Sequence, residues 1–178
     1  MREKNIDVYV VPTADFHQSE YVGEHFKARK FITNFSGSAG TAVITLNDAK
    51  LWTDGRYFIQ AAKQLEGTTV TLMKMFEPGV PSVNEYLEEI LQAGQTLSFD
   101  GRVVSVGEGD EYAEIAKKKG AKVDYQEDLI DEIWTDRPPL SEEPAFFLEE
   151  KYTGESTASK LARIRKEMEE AGCDAHIV

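Results

Sequence analysis

The chain ends much as it begins. Residues 168–178, Met-Glu-Glu-Ala-Gly-Cys-Asp-Ala-His-Ile-Val, align without a gap on residues 1–11, Met-Arg-Glu-Lys-Asn-Ile-Asp-Val-Tyr-Val-Val. In both copies a charged helix end runs into an aspartate, Asp7 or Asp174, and then into an apolar stretch closed by Val11 or Val178. Self-similarity at a fixed offset marks a repeated structural unit. It constrains the fold: a second unit of the same kind as the first is expected to begin near residue 155 and to be cut off after its first strand. On this reading the chain is an excerpt from a longer protein.

Between the two copies, β-rich runs alternate with helical stripes. Residues 6–11, 41–46, 50–53, 69–73, 96–99 and 121–125 read as strands. Asn47 and Asp48 between the second and third suggest a hairpin. Helices are expected at residues 19–31 with Ser19 as N-cap, at 55–66 after an Asp54 cap, at 83–94 and at 111–119. Another is expected at 156–171. The 83–94 helix is the best marked: Ser82 and Glu85 have capping-box spacing, and Val83, Tyr86, Leu87, Ile90 and Leu91 form one stripe. This alternation predicts an α/β domain over residues 1–134, and the hairpin makes its β-sheet mixed, flanked by helices. Residues 135–154, acidic and proline-rich, read as a linker, and residues 155–178 as the truncated start of the second domain.

Charge and composition exclude some functions. A net charge of -12 argues against nucleic acid as a partner. No apolar run reaches the roughly 18 residues of a membrane span, so no membrane partner is expected. Cys173 is the only cysteine, which rules out an internal disulfide and fits a cytoplasmic location. Nine acidic residues fall between Gln126 and Glu150 against Arg137 as the one base, which reads as a solvated segment or as a surface for a basic partner.

No catalytic constellation is complete in the chain, and no residue set has metal-ligand spacing, so neither catalytic nor metal residues are assigned. His17, His25 and His176 lie far apart. His17 falls between a strand end and a helix start, where α/β domains bind ligands, although a structural role is the stronger reading. Residues 36–41, Ser-Gly-Ser-Ala-Gly-Thr, lack the spacing and lysine of a phosphate loop; Gly37 and Gly40 are expected to permit close backbone approach. Residues 52–57, Trp-Thr-Asp-Gly-Arg-Tyr, say more. If Asp54 starts a helix, Arg56 stands at the positive end of its dipole and needs an anionic partner. Either Asp54 supplies it, or Arg56 projects toward a bound anion or carbonyl.

Together these segments resemble the aminopeptidase P family, the Xaa-Pro aminopeptidases of the creatinase and prolidase group. The matching stretches are residues 11–15 with 17–21, 35–41, 51–58, 72–75, 133–138 and 152–154, in the family's order. The chain resembles the N-terminal, creatinase-N-like domain of the long form, in which two similar domains precede a catalytic one. The resemblance implies a metal-dependent aminopeptidase that removes the N-terminal residue from peptides with proline second. It implies two divalent metal ions, manganese as the expected pair, in a catalytic domain beyond this chain. Those ions activate a water and stabilise the oxyanion. It further implies a homo-oligomer, and an N-terminal domain that closes over the cleft with Arg56 contacting the peptide and Asp54 and His17 as candidate neighbours. This chain alone is then expected to be inactive. Two other readings stay open: a catalytically dead relative that binds a basic protein, and a creatinase or prolidase.

Overall fold

The computed structural model describes residues 1–177. It divides into two compact units, residues 1–141 and the remainder from Glu142.

In the first unit six strands form one sheet: β1 (Val8–Val11), β2 (Thr41–Thr45), β3 (Ala49–Thr53), β4 (Val70–Lys74), β5 (Thr96–Phe99) and β6 (Lys122–Asp124), in the order β4-β3-β2-β1-β5-β6. The sheet is mixed: β2 is antiparallel to both β1 and β3, and the other three pairings are parallel. Five strands therefore run in one direction, with β2 alone opposed. Their carboxyl ends, together with the start of β2, lie on one edge of the domain.

The period-two alternation of strand side chains sorts the core onto two faces. Val8 and Val10 join Val43, Trp52, Leu97 and Phe99 on one face, under α3 (Val83–Ile90) and α4 (Val106–Lys119). Tyr9 and Val11 join Phe35, Ala42 and Leu51 on the other. That face lies under α1 (Ala28–Thr33), α2 (Phe58–Gln64) and α5 (Leu129–Ile133). Leu87 and Trp52 are wholly buried, and each side chain of that kind contributes roughly 1.5–3 kcal/mol.

The capping box at Ser82 and Glu85 forms with both of its bonds. The α3 helix ends at Ile90 because Leu91 turns to an extended conformation, short of the expected Gly94. A second capping box, Ser105 with Glu108, starts α4 five residues before Glu111, ahead of Gly107 and Gly109, which hid it. The helix expected from Ser19 to Phe31 is largely absent. Asp15 Oδ1 accepts the backbone N–H groups of His17 and Ser19, each at 2.9 Å, and Gln18 has φ 56°. That local bonding favours a turn over a helix. Only a 3₁₀ turn at Glu24–Phe26 and α1 follow.

Residues expected to begin the linker are fastened to the first unit. Arg137, its side chain 8% exposed, donates to Asp128 at 2.7 Å, to Asp131 at 3.1 Å and to the His25 carbonyl at 2.9 Å. The Pro138 carbonyl lies 2.8 Å from His25 Nδ1.

The second unit holds α6 (Glu150–Thr153) and α7 (Thr157–Ala171), the latter capped by Ser156 and stopped by Gly172 in the left-handed conformation. None of α7's residues is buried. The repeated strand does not form: residues 174–177 join no β ladder, and a strand needs a partner for its backbone groups. Val178 lies outside the described residues.

Candidate functional site

Three loops meet at the carboxyl edge of the sheet, and threonines stitch them together. Thr13, after β1, donates to the Gly40 carbonyl at 2.7 Å; Thr53, at the end of β3, donates to the Ala39 carbonyl at 2.8 Å. Gly40 sits at φ 156° with room for no side chain, since a Cβ would stand 2.7 Å from the Trp52 carbonyl oxygen. Residues 36–40 form the close-packed turn expected of their glycines.

Arg56 follows β3 on this edge. The expectation that Asp54 caps a helix containing Arg56 fails. Asp54 Oδ1 accepts the Arg56 backbone N–H at 3.0 Å and its carbonyl accepts that of Tyr57 at 3.0 Å, which makes a turn. Tyr57 is the N-cap, and α2 starts only at Phe58. Arg56 therefore precedes the helix, and no helix dipole acts against it within a first turn. What orients it is its own carboxylate: Nε and one terminal nitrogen reach the two Asp54 oxygens at 2.9 and 2.8 Å. This fork-to-fork pair fixes the plane of the guanidinium. The Arg56 hydrogen bond holds the Asp54 carboxyl below the usual carboxylate range. The Arg56 side chain is nonetheless 69% exposed, and Asp54 25%.

Tyr57 extends the same surface. Its ring lies 5.3 Å from the Arg56 guanidinium, within cation–π range, and its hydroxyl is 2.6 Å from Ser38 Oγ. His17 is exposed on the same edge, after β1, and no hydrogen bond or ion pair joins it to Arg56 among the described residues. Sharing an edge is all that these two have in common. His25 is bound to Pro138, and His176 is exposed in the segment that forms no strand.

Two features were not foreseen. One is Arg29, buried beside the 36–40 turn. The other is a second Asp-Gly-Arg turn, residues 100–102, at the end of β5. Its hydrogen bonds duplicate those of residues 54–56, with the Arg102 N–H at 3.0 Å and Nε at 2.9 Å from Asp100 Oδ1. The repeated tripeptide was a legible signal. Among the described residues, no group of three or more His, Cys, Asp or Glu is placed to hold a metal ion. No helix among them is long and apolar enough to cross a membrane.

The sequence profile of the creatinase/prolidase N-terminal domain matches residues 1–133, and a second profile of the same description matches residues 136–178. A probable Xaa-Pro aminopeptidase P of Neurospora crassa is 43% identical, over 100% of this chain and 26% of its own length. Aminopeptidase P2 of Arabidopsis thaliana is 39% identical, over 97% of this chain and 25% of its own. The X-prolyl aminopeptidase of Caenorhabditis elegans, described as a cytosolic enzyme with a di-nuclear active site, superposes with a TM-score of 0.84. It is 35% identical, covering 95% of this chain and 28% of that one. The chain spans about a quarter of the length of the relatives it matches. By sequence and by fold, it belongs to the creatinase/prolidase N-terminal domain family.

Proposed function

We propose that this chain is the non-catalytic N-terminal part of a metal-dependent aminopeptidase that removes the first residue from peptides with proline second. In this reading residues 1–134 are the first domain, 135–154 the acidic linker, and 155–178 the start of a second similar domain. The first domain closes over an active site supplied elsewhere in the protein, where two divalent ions, manganese as the proposed pair, activate water. The whole protein works in the cytosol as a homo-oligomer, on peptides rather than on nucleic acid or membranes.

The observation that carries this reading is the state of Arg56. Its guanidinium is held in one orientation by Asp54 and remains 69% exposed at the strand-end edge. An oriented, accessible guanidinium can donate in parallel to a peptide carbonyl or carboxylate, which a lysine cannot imitate. Asp54, which closes the turn, and His17 on the same edge are the proposed neighbours of Arg56.

The test uses the full-length protein and an Arg-Pro-Pro type peptide with manganese. Arg56→Ala is expected to lower kcat/KM by roughly tenfold to a hundredfold, the range for a lost charge-assisted hydrogen bond. Arg56→Lys should not restore it, and the urea midpoint should stay put. Unchanged kcat/KM, or loss of stability alone, contradicts the substrate role. Release of the first residue by residues 1–178 alone contradicts the non-catalytic assignment.

A further inference from the structure

Arg29 is 3% exposed and carries a full charge, yet its guanidinium donates only to neutral acceptors among the described residues. Nε donates to Thr13 Oγ1 at 2.9 Å, one terminal nitrogen to the Phe35 carbonyl at 2.5 Å, and the other to the Gly37 carbonyl. Its ring neighbour Phe35, 4.6 Å away, adds only a cation–π contact. Buried charges are ordinarily paired with an opposite charge, because desolvating an ion is costly. Here the cost shows as a guanidinium pKa pushed down to about 10 by burial.

Arg29 also lines a pocket of about 310 Å³, bounded by Thr13, residues 20–22, Lys27, Lys30 and residues 36–38. Lys30 is exposed there with no ion-pair partner among the described residues, while Lys27 is paired with Glu24. Glu20 is the one carboxylate on the lining. In a chain of net charge -12, the lining of this concavity carries three cations and one acid, with Glu24 outside the lining paired to Lys27. A buried cation without a carboxylate partner on the wall of an open pocket, beside an exposed ammonium that makes no salt bridge of its own among the described residues, is a site prepared for an anion.

We propose that this pocket binds the anionic oxygens of a ligand, a carboxylate or a phosphate, with Arg29 as its fixed charge and Lys30 as its mobile one. The favoured source is the carboxylate of a peptide. Ser38 lines the pocket and is bonded to Tyr57, so its wall runs on to the surface beside Arg56. A peptide held at Arg56 could lay a downstream carboxylate there. That choice of source rests on the function proposed above; the anion site itself does not.

The 178-residue chain, labelled with nitrogen-15, is titrated at fixed ionic strength with three probes. These are a proline-containing pentapeptide ending in a free carboxylate, the same peptide as its C-terminal amide, and inorganic phosphate. The free-carboxylate peptide is expected to give saturable shifts at amides of residues 20–22, 29–30 and 36–38. The amide form, and the surface variant Lys30→Glu with the free peptide, should bind about tenfold or more weakly. Saturation of the same amides by phosphate but by neither peptide supports the anion site and overturns the peptide source. Shifts that fail to saturate, that scatter over the surface, or that survive Lys30→Glu unchanged overturn the site. Loss of activity in Arg56→Ala bears only on the peptidase reading, so the two can fail separately.

Discussion

The molecule builds the same turn twice, in different surroundings. Residues 54–56 and 100–102 are both Asp-Gly-Arg at the end of a strand, both close with the arginine N–H on the aspartate, and both fold the guanidinium back onto that carboxylate. Their surroundings diverge. Arg102 also reaches Asp128 at 2.9 Å, and Asp128 in turn holds Arg137 and caps α5 through the Ile130 and Asp131 N–H groups. Asp100, Asp128 and Arg137 of that network line a small cavity beside β1, near the switch point of the sheet. Arg56 has Asp54 as its one carboxylate partner and otherwise faces solvent and the Tyr57 ring. The glycines diverge as well. A Cβ at Gly101 would stand 2.8 Å from the Tyr125 carbonyl oxygen, whereas at Gly55 it would meet only Phe58 at 3.9 Å. The two guanidinium groups are similarly exposed, Arg102 at 58% and Arg56 at 69%, so the turns differ in their partners: Arg102 has a second carboxylate in Asp128, which is tied into the domain, and Arg56 has Asp54. A local motif fixes a side chain's orientation, and its neighbours decide which further groups that side chain meets.

The sharpest way to break this contrast is to remove the hub of the closed turn. Asp128→Ala should destabilise the first unit by about 3–4 kcal/mol in urea unfolding. It strips the more buried of two carboxylates from Arg137, whose side chain is 8% exposed, leaving it the largely exposed Asp131, and it removes a helix cap. A loss under about 1 kcal/mol would show that the network is ornamental.

Acid should weaken the closed turn in the same way. Burial works against ionising Asp128, but Arg137, the Asp131 N–H and Arg102 outweigh it, so its folded pKa lies below the ordinary value. A depressed carboxyl pKa contributes stability that is present above the unfolded value near ~4 and is lost as pH falls through the folded value. The stability gap between the wild type and Asp128→Asn, read from urea midpoints, should therefore hold above about pH 4 and narrow below it. A gap that widens in acid reverses the sign and refutes the assignment.

Smaller effects sharpen the comparison. Gly101→Ala should cost about 1–3 kcal/mol, because backbone must move to admit the methyl group, while Gly55→Ala stays within about 0.5 kcal/mol. Equal costs would erase the distinction between the turns. Asp54→Ala should cost under about 1 kcal/mol, because the pair is exposed and salt screens its interaction.

The sheet was legible because strands announce themselves by composition, and all six expected runs are paired. The mixed topology followed from the hairpin at Asn47 and Asp48. Helix starts were less legible where side chains compete with the helix for backbone N–H groups. Ser19 and Asp54 both read as helix caps; instead Asp15 closes a turn on the His17 and Ser19 N–H groups, and Asp54 closes one on that of Arg56. Gly107 and Gly109 concealed the first turn of α4, although Ser105 and Glu108 spelled its cap. Arg56 stood out in the sequence for a reason that did not survive, its position in a helix. Its exposure and its fixed orientation are properties of the folded turn. Arg29 could not be found from sequence, because what distinguishes it is burial without a carboxylate, a relation among residues 13, 29, 35 and 37 that only the fold creates.

The division of labour between the two turns is tested most directly by exchanging their losses in the full-length protein. Arg56→Ala and Arg102→Ala are each measured for urea stability and for kcat/KM on the same proline-second peptide. Arg102→Ala should lose about 1 kcal/mol of stability, as expected of a partly exposed ion-pair member. The turnover of its folded fraction should be unaltered. Arg56→Ala should keep its stability and lose roughly tenfold or more in kcat/KM. If Arg102→Ala impairs turnover as much as Arg56→Ala does, or if Arg56→Ala acts only on stability, the two turns do not divide folding from binding and the account is wrong.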